Sequence, residues 1–242
     1  MLKAILIDID NTLLSFDGYV QEAMEEGFAR FSLPAYGPEM FPVFTRINNG
    51  LWQRIERGEM TVADLRSVRW NTIFAELGIA GDGPAFEDYF KAKLFESAIP
   101  MPGAMELLEA LSGRFVLCTA SNGPVKQQRN RLVLGRMLPY MDRLFLSEEI
   151  GVSKPDPAFF RVCLERLAVT CGCPVAPGEV LMLGDSLTSD MAGGIASGLV
   201  TCLYDPMGAY APGPGVPSPD CVVRDLADVP GLPCLTDLPK RN

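Results

Sequence analysis

The stretch Lys3-Ala-Ile-Leu-Ile-Asp-Ile-Asp10, followed at once by Asn11-Thr12, decides the fold class of this chain. Its continuous apolar run is typical of a central strand in a parallel sheet, which is buried on both faces. In open sheets of this class, ligands bind beyond the carboxyl ends of the strands. Two acids at such an end repel each other and lose hydration, a cost that a chain tolerates where a cation or a reaction uses the pair. Asp8 and Asp10 are therefore candidate catalytic residues.

A second stretch repeats this order of features later in the chain. The apolar run 180–183 is followed by a glycine, and the acids Asp185 and Asp190 come where a helix is expected to begin. Between the two acidic stretches, an apolar run ends in Ser121-Asn122-Gly123, and Lys154 precedes a proline that is typical of a helix start. Each of these groups lies at a strand end or a helix start, so we expect them to converge on one site.

The order of these groups, an acid pair, a hydroxyl, a lysine and a second acid pair, resembles the four motifs of the haloacid dehalogenase-like (HAD) hydrolase superfamily. The resemblance spans most of the chain. It implies that Asp8 attacks phosphorus in line and forms an aspartyl-phosphate intermediate. It also implies that Asp10 protonates the leaving oxygen and then takes a proton from the attacking water. We expect burial and the crowding of acids to favour the protonated form of Asp10.

The same resemblance implies a site for Mg²⁺, which prefers hard oxygen ligands. The ligands would be the carboxylates of Asp8 and Asp185 and the backbone carbonyl of Asp10, with Asp190 holding a metal-bound water. A divalent cation there would offset the repulsion between the acids and an anionic substrate.

The resemblance further implies a phosphate site made of Ser121, Asn122 and Lys154. A lysine offers a point charge, and a hydroxyl with nearby backbone N–H groups offers hydrogen-bond donors. Thr119 is the alternative hydroxyl, and Ser121 is favoured because Asn122-Gly123 follows it, as in the family.

The organisation of the chain indicates a sheet domain with a helical insertion. About eighty residues of helical pattern follow the first strand, which is too long for a plain crossover connection, so we predict an inserted α-helical cap at residues 16–97. Within it, helices are predicted at 20–31, 40–57, 61–77 and 85–95. After residue 100, helices and strands alternate, which predicts a doubly wound parallel sheet of the Rossmann-like type. The predicted core therefore comprises residues 1–15 and 98–242.

Composition narrows the class of function. The 242 residues carry a net charge of −9, which argues against non-specific binding to nucleic acid or to an anionic membrane. The chain contains no histidine, so Ser-His-Asp, Cys-His and His-ligated zinc chemistry are excluded. The first residues lack the pattern of a secretory signal, and the uncharged segment 191–204 is too short to span a bilayer. We expect a cytoplasmic enzyme acting on a small phosphorylated metabolite.

The substrate is indicated by a finer resemblance. The stretches 48–52, 58–61, 65–69 and 147–152 are similar to the bacterial pyrimidine 5′-nucleotidase-like branch of the superfamily. Asn48, Trp52 and Arg69 offer amide, aromatic and guanidinium groups suited to a base or sugar, although a tryptophan at a helical position is more often part of a core.

Three other functions remain open at this point. A sugar phosphatase or phosphomutase would share every motif. A dehalogenase would need no second aspartate, so Asp10 counts against it. A phospho-accepting receiver domain would carry its acid pair and its phosphorylated aspartate on different strands, and it would have no helical insertion.

Overall fold

The computed structural model describes residues 1–236, which divide by their contacts into two compact units. One unit consists of Met1–Ser15 and the chain from Ala98 onward, and the other consists of Phe16–Ser97. No helix among the described residues combines the length and apolar character that a membrane crossing requires.

The first unit is built on a six-stranded sheet. In chain order the strands are β1 (Ala4–Ile7), β2 (Val116–Ser121), β3 (Arg143–Leu146), β4 (Val180–Gly184), β5 (Val200–Tyr204) and β6 (Cys221–Val223). Their spatial order is β3-β2-β1-β4-β5-β6, and every neighbouring pair is parallel. The order reverses direction at β1, as in a doubly wound sheet. The predicted fold class is therefore confirmed.

The helices complete both units. In chain order they are α1 (Phe16–Arg30), α2 (Met40–Glu56), α3 (Leu65–Leu77), α4 (Gly83–Glu96), α5 (Ala104–Leu111), α6 (Val125–Leu134), α7 (Ser147–Ile150), α8 (Pro157–Cys171), α9 (Ala192–Ala196) and α10 (Pro233–Thr236). Short 3₁₀ turns lie at Val62–Asp64, Leu138–Tyr140, Pro177–Glu179 and Leu226–Gly231, and a π turn lies at Leu187–Met191.

Several helix starts differ from the sequence prediction. Helix α1 begins at Phe16, not at residue 20, and α3 begins at Leu65, after the 3₁₀ turn Val62–Asp64, not at residue 61. Helix α4 begins at Gly83, not at residue 85, because the Asp82 carboxylate caps it by accepting from the Ala85 N–H (2.9 Å) and Pro84 fits the first helical turn. The helix expected from Asp190 is preceded by the π turn Leu187–Met191, so regular α-helix begins only at Ala192.

Strand β1 is buried on both faces, as its apolar run predicts. Ile5 and Ile7 belong to one hydrophobic cluster of the sheet unit, whereas Ala4 and Leu6 belong to the other. Side chains alternate between the faces of a strand, so β1 lies between the two cores. Its carboxyl end opens at the edge of the sheet where β2 and β4 also end.

The helical unit is held together by aromatic packing. Trp70 is fully buried, and its ring lies 4.3 Å from that of Phe86 and 5.2 Å from that of Phe90, centroid to centroid. Phe44 and Phe74 complete the contacts at 5.5 and 5.6 Å. Buried aromatic side chains of this size dominate core energetics, so Trp70 is a packing residue.

Candidate active site

The register of the sheet brings the sequence motifs to one edge. Ile7 of β1 is paired with Thr119 of β2 and with Leu183 of β4. Asp8 therefore follows β1 at the level of Ala120, one residue before Ser121 ends β2. Beyond the end of β4, Asp185 lies on the other side of β1.

Three carboxylates form a compact cluster at this edge. Ligand oxygens of Asp8, Asp185 and Asp190 all lie within 4.8 Å of one another. Burial raises the pKa of Asp8 to about 7, and the neighbouring carboxylates add to this against the attraction of Lys154. Burial, followed by the charge of Asp8, also raises the pKa of Asp185 well above its usual range. Clustered hard oxygen donors of this kind fit a divalent cation such as Mg²⁺.

The Lys154 ammonium lies against this cluster and is buried. Its Nζ donates to Asp8 Oδ1 (2.7 Å), to Asp190 Oδ1 (2.5 Å) and to the Ala120 carbonyl (2.5 Å). Burial alone would lower the pKa of Lys154, but the two carboxylates outweigh it and raise the pKa above its ordinary value. The lysine therefore remains a cation beside the predicted nucleophile.

Asp190 depends on a glycine for its position. Its Oδ2 accepts from the Ser186 N–H (3.1 Å) while its Oδ1 accepts from Lys154. A Cβ at Gly184 would lie only 2.2 Å from Asp190 Oδ2, so any other residue at the end of β4 would displace this carboxylate. The buried Thr12 hydroxyl lies 3.5 Å from Asp185 Oδ1, within donating distance of the cluster.

The side chain of Asn122 is directed at the backbone of Lys154. Its Nδ2 donates to the Lys154 carbonyl and its Oδ1 accepts from the Lys154 N–H, both at 2.9 Å. These two bonds hold the lysine backbone at the sheet edge from a residue 32 positions away.

Ser121 and Thr119 differ in their partners. Ser121 Oγ accepts from the Gly123 N–H (3.1 Å) and from Gln128 Nε2 (3.0 Å). Thr119 lies two residues before Ser121 in β2. Its hydroxyl is fully buried and has no hydrogen-bond partner among the described atoms. Ser121 ends the strand, so its hydroxyl lies nearer than that of Thr119 to the sheet edge that carries the acid cluster.

The prediction that Asp10 is buried is wrong. Its side chain is 33% exposed, because it stands three residues beyond β1, just before the turn at residues 11–13, and belongs to neither core. Its Oδ1 accepts from Arg131 Nη1 (2.5 Å) and its Oδ2 accepts from Gln128 Nε2 (2.6 Å). The carboxylate is thus paired with a guanidinium.

Gln128 and Arg131 were not identified by the sequence analysis, although both are fully buried on α6. The sequence did contain one indication that Gln128 is buried. Val125, Gln128 and Leu132 recur at the spacing of one helix face, so a polar residue occupies a position where the pattern expects an apolar one.

Two of the three predicted specificity residues are engaged inside the helical unit. Arg69 donates to both carboxylate oxygens of Glu87 (2.9 and 2.5 Å) and to Asn48 Oδ1 (3.0 Å). Arg69, Glu87 and Asn48 are all buried, and the guanidinium lies 4.8 Å from the centre of the Phe90 ring. Their polar groups therefore satisfy one another. Trp52 is half-buried.

Comparison with known proteins identifies the family. A family model described as haloacid dehalogenase-like hydrolase matches residues 2–198. The chain belongs to this family of hydrolases. The matched range contains every residue that the structure brings to the sheet edge.

Individual relatives match over most of their length. The pyrimidine 5′-nucleotidases PynA of Streptococcus pneumoniae and YjjG of Escherichia coli are 31% and 33% identical over 84% and 82% of the chain, and 84% of each relative is covered. HAD-hydrolase YfnB of Bacillus subtilis is 30% identical over 84% of both chains. The crystal structure of YfnB bound to magnesium superposes with a TM-score of 0.85, covering 97% of this chain and 99% of that one.

Proposed function

We propose that this protein is a Mg²⁺-dependent phosphomonoester hydrolase that works through an aspartyl-phosphate on Asp8. The observation that carries the proposal is the cluster of Asp8, Asp185 and Asp190 around the buried Lys154 ammonium. A nucleophilic carboxylate, a cation for the phosphoryl oxygens and oxygen ligands for a metal are thereby combined at one sheet edge. When bound there by Asp8, Asp185 and Asp190, Mg²⁺ would offset the repulsion between the acids and the substrate.

The reaction proceeds in two balanced steps. Asp10 enters the first step as the neutral acid, with the proton that the attacking water gave it in the previous cycle. An Asp8 oxygen forms a bond to phosphorus while the bond from phosphorus to the substrate oxygen breaks, and that oxygen takes the proton from Asp10. Water then attacks the same phosphorus and gives its proton to Asp10, and the Asp8 carboxylate leaves. Each cycle releases one alcohol and one phosphate. The Ser121 hydroxyl donates to the transferring oxygens in both steps. The Lys154 ammonium already donates its three N–H groups to Asp8, Asp190 and the Ala120 carbonyl, so it contributes its positive charge beside those oxygens.

Asp10 also favours phosphoryl transfer over dehalogenation. A dehalogenase needs the nucleophile but has no leaving oxygen to protonate, so a second acid two residues further on would have no task. Here Asp10 is held by two hydrogen bonds from α6, which supports a role in the reaction.

For the substrate we propose small phosphomonoesters, with pyrimidine nucleoside 5′-monophosphates first and sugar phosphates as the alternative. The two relatives named as pyrimidine 5′-nucleotidases support the first choice. A net charge of −9 leaves phosphate binding to local groups such as Lys154, which suits a small cytoplasmic metabolite better than a polyanion. We propose that the helical unit Phe16–Ser97 sets the ranking among substrates.

A phosphomonoester panel tests this function. 4-Nitrophenyl phosphate, nucleoside 5′-monophosphates and hexose phosphates are assayed with Mg²⁺ and with excess chelator. We expect hydrolysis only with the metal, and the largest kcat/KM for a pyrimidine nucleotide. Conversion of a hexose 1-phosphate into hexose 6-phosphate would identify a phosphomutase instead.

The nucleophile is tested by Asp8→Asn, with Asp228→Asn as the matched control because Asp228 is exposed in the same unit. Asp8→Asn should abolish turnover and the acid-quenched phosphoenzyme detected by mass spectrometry, whereas Asp228→Asn should retain both. Full activity in excess chelator, or turnover by Asp8→Asn near the wild-type rate, would refute the mechanism.

A further inference from the structure

Helix α6 connects two of the proposed catalytic groups through buried side chains. Gln128 and Arg131 are both fully buried and stand one helical turn apart. Gln128 Nε2 donates to Asp10 Oδ2 (2.6 Å) and to Ser121 Oγ (3.0 Å), and Arg131 Nη1 donates to Asp10 Oδ1 (2.5 Å) and to Gln128 Oε1 (2.9 Å). Burying a polar group costs free energy unless it is hydrogen-bonded, so a buried network of this kind indicates a specific role for its residues.

The amide of Gln128 can adopt only one orientation in this network. Both of its N–H groups have acceptors, in Asp10 and Ser121, and its carbonyl oxygen accepts from Arg131. Reversing the amide would place its oxygen against the Asp10 carboxylate and its N–H groups against the guanidinium. Arg131 therefore determines the direction in which Gln128 donates.

This orientation has a consequence for the Ser121 hydroxyl. Its oxygen already accepts two hydrogen bonds, from Gln128 Nε2 and from the Gly123 N–H. A hydroxyl has two acceptor sites and one hydrogen, so the hydrogen is left to donate to a third group. Ser121 is thus prepared as a donor at the sheet edge where phosphoryl oxygens would arrive.

The network has a similar effect on Asp10. Its carboxylate is one-third exposed, and a free side chain in that position would rotate among several rotamers. Because both carboxylate oxygens accept hydrogen bonds, from Gln128 and Arg131, the Asp10 side chain is restricted to one direction. The two donor side chains are in turn held in place by burial. Gly123 makes room for this arrangement, because a Cβ there would lie 2.3 Å from Gln128 Nε2.

We propose that Gln128 and Arg131 are positioning residues for the phosphatase reaction: Arg131 sets the Gln128 amide, and the two together aim Asp10 at the leaving oxygen and turn the Ser121 hydroxyl towards the phosphoryl group. This inference rests on the proposed function. A misdirected proton donor slows the chemical step while leaving ground-state binding nearly unchanged, because the loss is confined to the transition state.

Leaving-group dependence separates positioning from a merely structural role. 4-Nitrophenolate leaves without a proton, whereas the alkoxide of an alkyl phosphate needs one, so a fault in Asp10 affects the second class more. Single-turnover phosphoenzyme formation is measured for 4-nitrophenyl phosphate and for the best alkyl phosphate of the panel. The variants are Arg131→Met, Arg131→Lys and the isosteric Gln128→Glu. Arg129→Met and Gln127→Leu are matched controls on the same helix.

We expect Arg131→Met to slow phosphoenzyme formation about 10²-fold with the alkyl phosphate and less than about 10-fold with the aryl phosphate. KM should change by no more than about threefold. With the alkyl phosphate, Arg131→Lys should form the phosphoenzyme at least about tenfold faster than Arg131→Met. Gln128→Glu should slow both substrates, because Ser121 is also misdirected. The two control variants should behave as wild type.

Two results would overturn the inference. One is that Arg131→Met loses the same factor in rate with both leaving groups. The other is that Arg131→Met and Gln128→Glu both react at the wild-type rate with unchanged thermal unfolding. If Arg131→Met does not fold, Arg131→Lys and the isosteric Gln128→Glu decide the question alone. An inactive wild-type protein across the whole panel would instead refute the proposed function, so the two failures are distinguishable.

Discussion

Replacing Asp8 by Asn should stabilise the metal-free protein above neutral pH while abolishing turnover. The pKa of Asp8 is raised from 3.8 to about 7, chiefly by burial. Between these two values the folded state keeps a proton that the unfolded state has lost. The neutral acid therefore contributes stability that is fully present below about pH 4 and is lost as pH rises through about 7.

The size of this effect follows from the shift. Each pKa unit corresponds to about 1.36 kcal/mol, so ionising Asp8 in the folded state costs at most about 4 kcal/mol at pH 8 and less than about 2 kcal/mol at pH 5. Asn avoids this cost, although it is a weaker acceptor for Lys154, which keeps Asp190 as a partner. We expect a gain of about 2–4 kcal/mol at pH 8, or roughly 5–15 °C in Tm for a chain of this length.

Thermal and denaturant unfolding in excess chelator at pH 5 and pH 8 measure the difference. The exposed Asp228→Asn control should unfold as wild type at both pH values. Added Mg²⁺ should raise the Tm of wild type, because a ligand bound only by the folded state stabilises it, and should raise that of Asp8→Asn much less. A metal-free Asp8→Asn protein that is less stable than wild type at pH 8, or a difference that does not shrink at pH 5, would show that Asp8 is not an acid destabilised by burial.

Further predictions concern other parts of the two units. Asp10→Asn should keep the fold and Mg²⁺ affinity but lower kcat by roughly 10²–10⁴-fold, and an unchanged kcat would remove Asp10 from the mechanism. Gly184→Ala should displace Asp190, since the added Cβ would lie 2.2 Å from its Oδ2, and calorimetry should show Mg²⁺ affinity reduced by about tenfold or more. Arg69→Met should destabilise the protein by about 3–5 kcal/mol in urea unfolding, because its buried carboxylate partner loses its charge pair, and a change below about 1 kcal/mol would contradict this. Trp52→Ala should alter the ranking of nucleotides against hexose phosphates in kcat/KM while leaving 4-nitrophenyl phosphate hydrolysis nearly intact, and an equal loss on all substrates would argue against a specificity role.

Much of the fold and part of the site could be predicted from the sequence because they depend on local patterns. The apolar run before Asp8 requires burial on both faces, which places it centrally in a parallel sheet. Acids and polar groups that directly follow such strands then meet at one edge, whatever the details of packing. Asp8 and Asp185 are brought together in this way, and Lys154 arrives at the same edge from the start of a helix.

Only the tertiary structure decided how the side chains at that edge are paired. Asp10 was expected among buried acids, yet it is partly exposed and held by Gln128 and Arg131, which lie 118 and 121 residues further along the chain. Arg69 was expected at a substrate, yet it bonds to a buried carboxylate within its own unit. Residue spacing predicts which face of a helix or strand a side chain occupies. The partner that a side chain contacts across a packed interface depends on distances between elements that are remote in sequence. A local sequence pattern does not encode those distances.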